Sequence, residues 1–131
     1  MRKPKIYEMR QEGWETKWDL YVFKTVKDMQ HYLRANIKGD FDGVLGLVEP
    51  LALNNGTFAA CYLNEENMGS GLIAHEMLHV AMARERYIGF KCDYGDTVGQ
   101  NEERLAYFLT DCMIGCVNTL RDNGHIKKEK Y

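Results

Sequence analysis

The chain has none of the features that would place it outside the ordinary globular class. Nowhere in its 131 residues does an apolar run approach the roughly 18 residues that a membrane span requires. The opening stretch, MRKPKIYEMR, has no apolar region of the kind a secretory leader carries. Neither export nor membrane insertion is therefore expected, and the expected location is the cytoplasm. No block of one charge occurs either: 17 Lys and Arg are scattered against 19 Asp and Glu, for a net charge of −2. That leaves no basic stripe for nucleic acid. The short basic ends, MRKPK and IKKEKY, read as solvated termini. There is no repeat, low-complexity tract or linker. A disulfide framework is lacking too: the four cysteines, Cys61, Cys92, Cys112 and Cys116, form neither a C-x-x-C pair nor the dense spacing of a secreted disulfide scaffold. They read as reduced and mostly buried. Cys112 and Cys116, one helical turn apart, are a candidate metal pair, but small apolar filler is the better reading.

What is present describes one soluble domain spanning residues 1–131. Hydrophobic residues make up 45% and charged residues 27%, the balance of a globule with a real core. Trp18 to Phe23, WDLYVF, is aromatic and β-branched enough for a strand. Thr25 then caps a helix with the apolar stripe Val26, Met29, Leu33 and Ile37, ending near Gly39. His31 lies off that stripe and reads as a surface residue. From Gly43 to Leu63 the pattern shortens to GVLGLV, a break at Glu49-Pro50, LAL, Asn55-Gly56 and TFAACYL. Asn-Gly between apolar runs predicts a hairpin.

A helix follows from about Ser70 to Arg86, and residues 88 to 96, with Gly89 and Gly95, read as a loop. Thr97-x-x-Gln100 forms a capping box for a last helix running to Asp122, with Gly124 as its stop and Leu105, Phe108, Leu109, Cys112 and Cys116 as its stripe. The expected fold is α+β: a small sheet containing antiparallel pairs, covered on one side by the two C-terminal helices.

The chemistry lies in GSGLIAHEMLHVAMARERY, residues 69 to 87. His75 and His79 are four apart, so on a helix their imidazoles stand one above the other and can share a metal ion. Leu72, Ile73, Met77, Leu78, Val80, Ala81 and Met82 leave almost no polar face, which predicts a helix buried on most sides. Unpaired His and Glu buried there would cost several kcal/mol, and zinc would offset that cost. The pattern is the H-E-x-x-H of metalloproteases. A catalytic zinc takes three protein ligands and keeps one position open, so a third ligand must come from elsewhere. QNEERLAYFL, residues 100 to 109, offers two carboxylates at the start of the last helix.

Taken together, HEMLH and EERLAY resemble the gluzincin metallopeptidases, the thermolysin-like class, over about residues 57 to 120. The resemblance implies zinc held by His75, His79 and a downstream glutamate, with Glu76 as general base. Glu103, in Glu103-Arg104-Leu105-Ala106-Tyr107, fits the family spacing Glu-x-x-small best. Glu102 is the runner-up through its Asn101-Glu102 pair. The aspartate that commonly supports a metal histidine is replaced here by Ala106 or Tyr107. Rival third ligands are Asp93, Asp96 and His125, the last expected to be exposed beyond the helix stop.

The expected function is zinc-dependent hydrolysis of a peptide or protein by activated water, Glu76 taking its proton. An oxyanion donor is sought among Tyr87, Tyr94 and Tyr107, against the ordinary reading of each as packing with a satisfied hydroxyl. The alternatives are a zinc-stabilised, non-catalytic binding or regulatory module and a metal-free structural or interaction protein.

Overall fold

The structure, a computed structural model, describes residues 2–11, 13, 15–89 and 98–126, with the backbone alone at 98–101. Strands β1 (Lys5–Arg10) and β2 (Lys17–Phe23) are followed by helix α1 (Val26–Asn36), strands β3 (Leu47–Pro50) and β4 (Thr57–Asn64), and a short 3-10 turn at Glu65–Asn67. Helices α2 (Ser70–Tyr87) and α3 (Val98–Asp122) complete the chain order. The sheet order is β1-β2-β4-β3. β1 pairs antiparallel with β2, β2 parallel with β4, and β3 antiparallel with β4. The α+β class expected from the sequence is what forms, with the sheet mixed.

Local chemistry explains most of the boundaries. Thr25 caps α1 as its spacing predicts, its Oγ1 accepting from the Asp28 amide at 3.1 Å. The Asn55-Gly56 hairpin joins β3 to β4, with Gly56 at φ +89°. Its reversal is closed by amides of Leu51 and Leu53 donating to the carbonyls of Phe58 and Thr57. The capping box at Thr97 and Gln100 lies outside the described residues.

Two expectations need correction. The expected strands do not include β1: Tyr7-Glu8-Met9-Arg10 alternates for only four residues, Lys5 and the exposed Ile6 depart from it, and as an edge strand it buries Met9 alone. The sheet is also covered on both faces rather than one. On one face Trp18, Leu20, Val22, Phe58, Cys61 and Leu63 pack against α2 and α3. On the other, Phe23, Ala60 and Tyr62 meet Met29 and Leu33 of α1 and Phe41. The inner strand β4 is buried along its whole length for this reason, alternating between two cores from Ala59 to Leu63, with Phe58 joining Ala59 in the first beside an irregularity in the pairing with β2.

Candidate functional site

Helix α2 lies on the sheet and against α3, and its 3.6-residue period divides H-E-x-x-H between two environments. Ile73, Glu76, Met77, Val80, Ala81 and Arg84 face inward. His75, Leu78, His79 and Met82 share the opposite stripe and are exposed, Leu78 at 45% and Met82 at 39%. The expectation of a helix buried on most sides therefore fails. Apolar composition fixes no inward direction when nearly every position is apolar, and here the sheet and α3 take the stripe carrying Glu76. The carboxylate, and not the imidazoles, is the ionisable group that bears the cost of burial.

The two imidazoles meet at the helix surface. Their Nε2 atoms are 3.2 Å apart and the rings cross edge to face, with centroids 4.8 Å apart. Two nitrogens bound to one tetrahedral zinc at about 2.0–2.1 Å stand about 3.3 Å from each other. The separation suits two ligands on one zinc, and equally a hydrogen bond between the rings, but the pair supplies two of the three protein ligands a catalytic zinc takes.

Glu76 is only 4% exposed. Burial pushes its carboxyl above the ordinary carboxylate range, against the opposing pull of His75 and His79. Among the described residues no hydrogen bond holds the carboxylate. It packs beneath the segment that enters β3: a β-carbon built on Gly46 would lie 3.3 Å from Glu76 Cγ and 3.5 Å from Oε1. The sequence carries no signal for that approach.

The other predicted site residues are placed elsewhere. Glu102 and Glu103 are exposed on the first turns of α3. Among the described residues no group of three or more His, Cys, Asp or Glu comes together to hold a metal, so neither glutamate joins His75 and His79. Asp93, Asp96, Tyr94 and Cys92 lie outside the described residues. His125 is not the exposed residue expected: its side chain is 7% exposed, with Nε2 2.7 Å from the Tyr7 hydroxyl and Nδ1 3.2 Å from Glu65 Oε1. Tyr87 donates its hydroxyl to the Leu53 carbonyl at 3.1 Å, the packing role, and Tyr107 is 66% exposed. Cys112 and Cys116 are buried filler, their thiols pushed up to about 12 by burial.

Comparison of the chain with protein-family models, with curated proteins and with solved structures returns no match. The gluzincin resemblance is corrected on two grounds: no family model matches, and the described residues assemble no ligand triad. A histidine pair at metal spacing beside a buried glutamate is what stands.

Proposed function

We propose that the chain is a zinc-dependent hydrolase of peptide bonds, with His75 and His79 as two ligands of the ion, a third that the described residues do not supply, and Glu76 serving as general base. The observation that carries this reading is the pair of Nε2 atoms 3.2 Å apart, flanking in sequence a glutamate that is 4% exposed and accepts no hydrogen bond among the described residues. When bound, zinc would supply Lewis-acid polarisation of a carbonyl and acidify the attacking water. The chain's own residues do the rest. The imidazoles leave Glu76 unligated, because it lies about 100° around the helix from His75. A carboxylate lifted above its ordinary range accepts a proton readily from that water and can return it to the leaving amine. Peptide is the favoured substrate class because β3 ends the sheet next to α2, and its outer edge is paired with no strand among the described residues. An extended backbone can hydrogen-bond to such an edge.

The test is metal content and turnover together. Wild type purified without chelator should carry zinc and generate new termini in a peptide library scored by mass spectrometry. Glu76→Gln should keep the zinc and lose at least about 10² in rate, the scale of a general base. His79→Ala should lose both. Undiminished cleavage by Glu76→Gln would rule out the mechanism. Zinc retained by a wild type that cleaves nothing would leave a zinc-stabilised module instead.

A further inference from the structure

Glu76 is 4% exposed and accepts no hydrogen bond among the described residues, and the space beside its side chain lies against Gly46. The three atoms nearest to a β-carbon built on Gly46 all belong to Glu76: Cγ at 3.3 Å, Cδ at 3.5 Å and Oε1 at 3.5 Å. We infer that Gly46 is a positioning residue for Glu76, and that the missing side chain at 46 leaves the space in which the carboxylate lies. This inference rests on the role of Glu76 proposed above.

Backbone conformation does not explain this glycine. Gly46 has no positive φ, unlike Gly43 at +76° and Gly56 at +89°, so an alanine there meets no backbone strain. Its one tight contact is with Glu76. A methyl group 3.3 Å from Cγ must push the glutamate by a few tenths of an ångström, or turn it to another rotamer. The three atoms nearest the added methyl belong to Glu76 and none to His75 or His79, whose side chains are on the exposed stripe of α2. Gly46 also lies directly before β3, the strand whose edge the substrate would follow. The chain thus places the base and the substrate edge in register through one close approach, made between a loop residue and the buried side of α2.

The inference is tested with two cycles on the full chain. In the first, Gly46→Ala should lower kcat at least about tenfold while KM and zinc content change less than twofold, because a misplaced base costs rate without weakening the metal or the substrate edge. In the second, melting midpoints are compared for wild type, Gly46→Ala, Glu76→Ala and the double variant. The alanine at 46 should lower the midpoint in wild type and lose most of that effect in the Glu76→Ala background, where the methyl has room. Unchanged kcat in Gly46→Ala, or the same loss of midpoint in both backgrounds, overturns the inference. Should wild type prove to have no turnover, the proposed hydrolysis fails on its own account. The melting cycle and the side-chain couplings of Glu76, measured by NMR with and without the alanine, still decide the contact. If Gly46→Ala does not fold, recovery of folding in the double variant supports the contact, and its absence overturns it.

Discussion

Glu65 shows how a single side chain ties distant parts of this chain together. It follows β4, accepts from Lys24 Nζ at 3.0 Å and lies 3.2 Å from His125 Nδ1 beyond the end of α3. Burial raises its carboxyl, but the hydrogen bonds of Lys24 and His125 outweigh that and hold it below the ordinary carboxylate value. A carboxyl depressed in the folded state contributes stability that is complete above its unfolded pKa, about 4.3, and disappears as pH falls through the folded value. Wild type should therefore melt above Glu65→Gln at pH 5 and higher, with the gap closing below about pH 4.3. A gap of constant size down to acid unfolding would contradict this. At this scale the sequence was only partly readable. The motif His75-Glu76-x-x-His79 was visible, since helical spacing states which residues share a face. Which face turns inward was not visible, because Leu78 and Met82 are as apolar as Met77 and Val80. His125 was misplaced for a similar reason: its burial depends on Tyr7, 118 residues away.

Elements were easier to read than single side chains where a local signal closed them. Thr25 and the stripe Met29 and Leu33 locate α1, and Asn55-Gly56 locates the hairpin. Gly124, at φ +75°, ends α3 with its own amide donating to the Arg121 carbonyl and the His125 amide to the Leu120 carbonyl at 2.8 Å. That helix stop also delivers His125 to Tyr7 and Glu65, so a local capping device produces a long-range contact. β1 had no comparable signal, and it is ordered by pairing with β2 along Lys5 to Arg10. A cap of this kind has a measurable worth. Thr25→Ala removes the Oγ1 acceptor for the Asp28 amide and should cost about 1 kcal/mol. For a domain of this size that is a fall of about 3–5 °C in Tm. Thr25→Ser, which keeps the acceptor, should restore most of the loss. Equal melting of the alanine variant and wild type would show that the cap contributes nothing to α1.

For the whole molecule, what counts is that α2 packs on the sheet and alongside α3, which also meets the strands, while its outward stripe carries the histidine pair. Inward contacts fix the helix: Arg84 lies 4.5 Å above the Phe108 ring and donates to Thr16 Oγ1 at 3.1 Å. The 3.2 Å separation of the imidazoles exists only while that helix is intact, since the i, i+4 relation is lost in an extended chain. An ion bound by the pair therefore selects the native state. Binding confined to the native state adds RT ln(1 + [L]/Kd), about 4 kcal/mol at a thousandfold excess of free ion over Kd. That corresponds to a rise in Tm on the order of 12–20 °C. The rise should appear when zinc is added to chelator-stripped wild type, persist in Glu76→Gln and be absent from His75→Ala and His79→Ala. Glu103→Gln tests the exposed glutamate of α3 in the same assay. Having no part in the pair as folded, it should leave the zinc-induced rise intact, and a loss equal to that of His79→Ala would instead place Glu103 on the ion. Melting of stripped wild type that is unchanged by zinc would remove the metal from the site and the proposed hydrolysis with it.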